Sequence, residues 1–377
     1  MAENDTFTIP DLTTPAIRLN QSVIHRIREQ RKNFQILSDE AELGLIIAYS
    51  VFIFSGIVTN TVLLCSILRE PKLRTPQNMF ITSLAVSDIL LCGFCMPFTL
   101  YMVLNDDWAF GNILCKLVPF VQGTATTMSI STCIAIAINR YRIILSYHNK
   151  TQTIPMYLSI FFMNIASAIP IIPIILVQKL EGVGEKRYGV VLFERCVEKW
   201  PSVALNRVYT GLMILLHYVV PVLTIAVCYF KIVNFLHLQM MRSQEIKNIK
   251  TQQKRNRQTS KILSVITGTF LLCFFPYHLI RFLYDYTQVF LGKTRLVYLL
   301  FGVSHIVAMS TTTWNPLLYG LLNRNLRAGI INFMKSFGSG FRRTYNLQHN
   351  QIGARGNGGT VHHLCEMPTT VDFRQKV

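Results

Sequence analysis

The stretch CKLVPFVQGTATTMSISTCIAIAINRY, residues 115–141, decides the fold. It is apolar almost throughout, with Gln122 and Ser129 inside it and Asn139-Arg140-Tyr141 at its end. A helix turns about 100° per residue, so Gln122, Ser129 and Arg140, at offsets of 7, 14 and 25 from Cys115, fall within about 40° of one line. One face therefore carries the polar groups. At about 1.5 Å per residue the span is about 38 Å long, more than the roughly 30 Å hydrocarbon core of a bilayer. The pattern predicts a membrane-crossing helix whose polar seam is buried in protein, with a cysteine at one water interface and an arginine at the other.

The rest of the chain repeats the same theme. Of 377 residues 51% are hydrophobic and only 15% charged, against about 25% charged in a soluble domain. Apolar residues gather in seven blocks, approximately 43–68, 79–104, 112–138, 155–178, 205–236, 260–284 and 296–322. Each is long enough to span a bilayer as a helix. The fold class expected is an all-α membrane protein, a seven-helix bundle over 43–322, flanked by a tail (1–42), an amphipathic helix (323–337) and a disordered tail (338–377). An odd number of crossings puts the two ends on opposite sides.

Lys and Arg set the orientation. The end of block one, the loop after block three, the connection between blocks five and six with their adjoining ends, and the tail past 323 hold 22 of the 37 basic residues and four acids, Glu70, Glu245, Glu366 and Asp372. That side is expected to be cytoplasmic, leaving the N-terminus outside and placing the chain in the plasma membrane. The opposite side holds 15 basic and 14 acidic residues. The net charge of +18 is thus a leaflet asymmetry, which argues for the lipid bilayer and against nucleic acid as a partner. Of nine cysteines only Cys115 and Cys196 fall on the outer, oxidising side, and they are expected to pair. Residues 1–42 contain no apolar core, so block one is expected to serve as the insertion signal. Asn4-Asp5-Thr6 and Asn20-Gln21-Ser22 are glycosylation acceptors on that outer side.

Block two contains Asp88, the one acid of the membrane interior. An ionisable group at mid-bilayer costs a few kcal/mol, so it is either partnered by Asn60 and Asn315 or holds a cation or proton. Prolines punctuate the later blocks at Pro170, Pro173, Pro221, Pro276 and Pro316, each removing a helical hydrogen bond and kinking its helix. Past block seven, Leu326, Ile330, Phe333 and Phe337 recur with helical period among Arg324, Arg327 and Lys335, the pattern of a helix lying on the inner leaflet.

Taken in order, Asn60, Leu84-Ala85-x-x-Asp88, Cys115, Asn139-Arg140-Tyr141, Pro221, Pro276 and Asn315-Pro316-x-x-Tyr319 resemble the rhodopsin-like (class A) G-protein-coupled receptors over roughly 43–337. Lys116 and Gln122 after the block-three cysteine, and Cys196-Val197-Glu198-Lys199-Trp200-Pro201-Ser202, resemble the neuropeptide Y and neuropeptide F receptor branch. His278, Asp285 and His305 match positions that line that branch's peptide pocket. The resemblance implies a ligand with an amidated Arg-Tyr or Arg-Phe end and a heterotrimeric, commonly inhibitory, G protein. Arrestin and receptor kinases are implied as further partners. It also implies that the inner half of block six tilts about Pro276, that Arg140 lines the resulting cleft, and that Tyr229 and Tyr319 swing beneath it. Asp88, Ser129 and Asn315 match the family's sodium positions; no other cofactor is expected.

Elementary chemistry agrees with this ligand. Asp285 lies seven residues beyond His278, on the same helix face and nearer the outer water, where a carboxylate suits a ligand guanidinium. Arg281, four residues away, could instead neutralise it, a pair worth about 0.3–0.5 kcal/mol if exposed. Gln122 can donate and accept at once, which suits a neutral amide; a buried amine would need a carboxylate there. His278 and His305 can be read equally as packed side chains or ligand contacts. The chain departs from the family at Asn139, usually Asp, and at Phe274, usually Trp. Without a carboxylate at 139, Arg140 is expected to be lightly restrained and basal activity appreciable. A transporter would show internal repeats, and an enzyme a nucleophile–base pair; neither pattern is present in the sequence.

Overall fold

The computed structural model describes residues 37–145, 156–185, 190–242, 247–287, 289–290 and 294–336. Its helices are α1 (Asp39–Arg69), α2 (Pro76–Leu90), α3 (Met96–Asn105), α4 (Gly111–Leu145), α5 (Met156–Ala168), α6 (Ile172–Val177), α7 (Val203–Ile214), α8 (Val220–Arg242), α9 (Lys247–Tyr286), α10 (Thr294–Met309) and α11 (Thr311–Leu322). Joined end to end, α2–α3, α5–α6, α7–α8 and α10–α11 make single spans. Among the described residues six helical spans are long and apolar enough to cross a membrane. The sixth apolar block forms the C-terminal half of α9, a 40-residue helix whose N-terminal half is basic. The acceptors at Asn4 and Asn20, Phe337 and the tail beyond it lie outside the described residues.

Local chemistry explains where the helices start and bend. Ser38, Thr75 and Ser202 each cap a helix by accepting from a backbone N–H three residues on. A π-helical turn at Leu91–Cys95 precedes Pro97, and another at Leu215–Val219 precedes Pro221. The wider turn makes room for a ring that would otherwise press on a carbonyl four residues back. At Pro170 the chain tightens instead into a 3-10 turn, Ile169–Ile171, whereas Pro276 and Pro316 lie inside continuous helices. At Gly56 the first span passes so close to the second and seventh that an added Cβ would lie 2.4 Å from the Cys92 sulfur and 3.1 Å from the Thr312 hydroxyl.

Among the described residues the bundle has two large cores and two smaller clusters. One large core joins Tyr49, Leu91, Met96, Phe270, Phe274 and Ile306; the second joins Leu63, Ile67, Ile81, Leu84, Ile266 and Tyr319. Residues 324–336 form a further helix, α12, whose Leu326 is fully buried in the second core. The first turns of its apolar face, Leu326 and Ile330, are therefore taken up by the bundle.

The all-helical expectation needs one addition. The loop after the fourth span is an antiparallel hairpin of β1 (Gln178–Glu185) and β2 (Val190–Glu198), with Leu180 opposite Cys196 and a register shift at Val183/Gly184. Cys196 on β2 is bonded to Cys115 on α4 with a Cα separation of 5.5 Å, which is the expected pairing. The Trp108 backbone N–H donates to the Glu194 carbonyl, holding β2, two residues before the disulfide, near the loop after α3. That loop begins at Asp106, whose left-handed backbone (φ 50°) terminates α3.

Candidate functional site

The hairpin and the ends of the helices enclose a cavity of about 690 Å³, open at one side, which reaches from Asp106 and Glu198 at its rim to Phe274 and Met309 at its floor. Drug-sized and peptide-end ligands fit volumes of this order. Four of the expected ligand residues, Gln122, His278, Asp285 and His305, all line it. They are brought together from α4, α9 and α10.

On one wall a polar row crosses four spans. The Thr99 hydroxyl is 3.1 Å from Gln122 Oε1, Gln122 Nε2 is 2.8 Å from His305 Nε2, and His305 Nδ1 is 2.8 Å from the Tyr49 hydroxyl. With the Gln122 amide nitrogen donating to Nε2, His305 carries its proton on Nδ1 and donates to Tyr49. Tyr49 is fully buried and stacks on the imidazole. The row holds the Gln122 amide between two partners, its acceptor toward one and its donor toward the other.

On the floor, His217 pairs with Thr127 at 2.9 Å and lies 6.1 Å, ring to ring, from His278. His278 Nε2 is buried with no hydrogen-bond partner among the described residues, beside Tyr218 and Phe274. Phe274 stacks on Phe270 at 4.3 Å, so it retains the bulk expected of an aromatic at that position.

The rim is ionic, and of the two readings of Asp285 it is the internal pair that the structure shows. The Arg281–Asp285 pair is not an exposed neighbour contact: Arg281 Nε donates to Asp285 Oδ2 at 2.8 Å, and the carboxylate side chain is only 2% exposed. Asp285 also accepts from Thr210 (2.6 Å) and Asn206 (3.1 Å). The Arg281 fork donates to Glu198 at 3.3 and 2.7 Å, and Trp200 Nε1 donates to the same carboxylate. Burial alone would raise the Glu198 pKa, but the Arg281 charge and hydrogen bonds outweigh it and hold the carboxyl below its usual range. Nearby, Asp106 accepts from both Arg195 and Tyr298. The cavity wall thus holds four acids, Asp106, Asp107, Glu198 and Asp285, against two arginines, a net negative rim.

Deeper in the bundle, Asn315 Nδ2 donates to Asp88 Oδ2 at 3.1 Å. Asn60 does not join them, donating instead to the carbonyls of Gly56 and Thr312, so only half of the expected Asn60–Asp88–Asn315 partnership forms. Ser129 Oγ is buried beside Asp88 and faces its carboxylate. A carboxylate with a spare hydroxyl oxygen is a donor set that suits a small hard cation.

At the other end of α4, Arg140 Nε is buried and without a hydrogen-bond partner among the described residues. Tyr141, next to Asn139 and Arg140, packs on Ile144 and Ile232 with Lys231 5.7 Å from its ring centre. Tyr319 of the Asn315-Pro316-x-x-Tyr319 segment is buried in the second core, whereas Tyr229 is 39% exposed on the bundle surface.

Sequence reasoning did not single out Tyr49, Thr99, Asn206, Thr210, His217 or the Asp106–Arg195 pair. A signal existed for His217 alone, an imidazole four residues before Pro221 in an otherwise apolar block.

A seven-helix bundle with a disulfide-anchored hairpin over an outer cavity, and an Asp–Asn pair at mid-depth, defines a membrane receptor architecture. The family described as the 7 transmembrane receptor (rhodopsin family) matches residues 59–319, and the chain belongs to it. Curated relatives include the neuropeptide Y receptor type 6 of Oryctolagus cuniculus, 32% identical over 77% of this chain and 80% of that protein. The neuropeptide Y receptor type 2 of Homo sapiens is 32% identical over 83% and 80%, and the type 1 receptor of Xenopus laevis 30% identical over 75% and 78%. The protein is a multi-pass membrane receptor.

Proposed function

We propose that the protein is a plasma-membrane receptor for an amidated neuropeptide with an Arg-Tyr or Arg-Phe end, signalling through a heterotrimeric, inhibitory G protein. The observation that carries this reading is the Thr99–Gln122–His305 row: a neutral donor-and-acceptor site within a cavity of acidic rim. A terminal amide can both give and take a hydrogen bond with Gln122, and the preceding arginine meets the negative rim. The relatives' names support a peptide of the neuropeptide Y kind. The N-terminus faces outward and the basic surfaces inward, where arrestin and receptor kinases act after the G protein. The test is a screen of amidated peptides against their free-acid forms for G-protein activation in membranes bearing the receptor; activation by neither form would end the proposal.

Peptide contact on the third, sixth and seventh spans acts by population shift, and only as far as the ligand binds the open form better than the closed one. Arg140, Tyr229 and Tyr319 serve the open form, hinged at Pro276 and Pro316. Because Asn139 offers Arg140 no charge, substituting Asn139→Asp is expected to lower ligand-free G-protein activation several-fold; unchanged nucleotide exchange would refute the light latch. Asp88, Ser129 and Asn315 fit a sodium ion that favours the closed form. Replacing sodium by N-methyl-D-glucamine is expected to raise agonist affinity, and an Asp88→Asn variant should be indifferent to the exchange.

A further inference from the structure

The carboxylate best placed for a ligand arginine is already occupied by an arginine of the chain itself. The Asp285 carboxylate accepts from Arg281, Thr210 and Asn206, all groups of the chain itself. Arg281 is shared: its fork grips Glu198 on the hairpin while its Nε reaches Asp285. Two carboxylates around one guanidinium leave the trio one negative charge in excess. Removing a guanidinium from a buried carboxylate without replacement is costly, as is leaving the guanidinium unpaired.

We infer that Arg281 is a resident stand-in for the ligand's arginine, and that the incoming guanidinium takes Asp285 while Glu198 retains Arg281. The inference rests on the peptide reading above and specifies how that site discriminates. The exchange is one for one. The Nε contact to Asp285 breaks, the ligand makes a charge-assisted pair with Asp285 in its place while Thr210 stays on the same oxygen, and Arg281 keeps its two bonds to Glu198. No charge is stranded at any point, and the trio becomes a neutral foursome. Glu198 is then a positioning residue: it need not touch the ligand, yet it lowers the cost of releasing Asp285. Since Glu198 closes β2, two residues after the disulfide, the hairpin sets how readily the exchange occurs.

The experiment is competition binding on cell-surface receptor with amidated peptides ending in Arg-Tyr and Arg-Phe, beside analogues in which citrulline replaces the arginine. Arg281→Gln is expected to tighten the arginine peptides about tenfold and leave the citrulline peptides unmoved. Glu198→Gln should weaken the arginine peptides about tenfold, because Arg281 then turns wholly onto Asp285. The double variant decides between exchange and mere net charge: exchange requires it to bind like Arg281→Gln alone, whereas a general charge effect would make the Glu198 penalty the same in both backgrounds and overturn the inference. Weaker arginine-peptide binding by Arg281→Gln would also overturn it. Should that variant fail to reach the surface, Arg281→Lys decides instead: a lysine cannot fork both carboxylates, so arginine-peptide binding must tighten, and unchanged binding refutes the exchange. If wild type bound none of the peptides, the peptide reading itself would fall; binding without the opposed shifts would remove the exchange alone.

Discussion

Replacing Gln122 by leucine is expected to weaken binding of an amidated peptide roughly a hundredfold, about 3 kcal/mol. Leucine is close in volume, so the cavity keeps its shape. What is lost is the one group that faces Thr99 on one side and His305 on the other. The ligand amide loses its partner, and a buried imidazole nitrogen is left unsatisfied, a penalty that accrues in addition to the missing bond. Competition binding with amide and free-acid forms of one peptide checks this. Wild type should prefer the amide strongly, and the variant should barely distinguish the two. A Gln122→Leu receptor that still discriminated would show that the amide is read elsewhere.

The second large effect concerns Cys115. The bond to Cys196 closes a loop of sequence separation 81, and chain-entropy reasoning assigns such a closure roughly 4–5 kcal/mol. Cys115→Ser is expected to abolish high-affinity peptide binding, with surface delivery falling as well. The local consequence is as important as the global one. Without the bridge β2 is free to leave α4, and Glu198 goes with it, so Arg281 loses its second partner. Cys196→Ser and the double variant should match the single one, since half a bond is worth no more than none. Saturation binding with a surface-epitope control separates lost affinity from lost receptor; wild-type affinity in Cys115→Ser would contradict the role given to the hairpin.

Much of this architecture was legible in the chain. Seven apolar blocks, the Cys115–Cys196 pairing and the Asp88–Asn315 contact all follow from local composition, sidedness and the cost of a lone buried acid. The hairpin was not. Gln178–Glu185 contains two glycines and three charges, with no clean alternation, and its pairing with β2 is sustained by the disulfide and by Trp108 more than by intrinsic preference. Nor could one sequence reveal that Tyr49 meets His305, because 256 residues separate them and each alone looks like a packed side chain. The Arg281–Asp285 spacing could be read, but not its burial: Glu198, Thr210 and Asn206 arrive from other elements and convert a weak surface pair into the hub of the rim. The π-turns were half visible, since a proline announces a disturbance but not which way the helix will relieve it.

The row from Tyr49 to Thr99 has a property that follows from its membership. Every group in it, phenol, imidazole, carboxamide and alcohol, can act in either sense, and the Thr99 hydroxyl is also 3.1 Å from the Cys95 carbonyl. Turn the Gln122 amide over and each bond reverses: Tyr49 gives to His305, His305 to Gln122, Gln122 to Thr99, and Thr99 to Cys95, with only the amide oxygen and nitrogen changing places. A ligand that offers Gln122 a donor and one that offers it an acceptor would therefore settle opposite polarities along the same four helices, so two peptides seated alike could leave different electrical signatures in the first span.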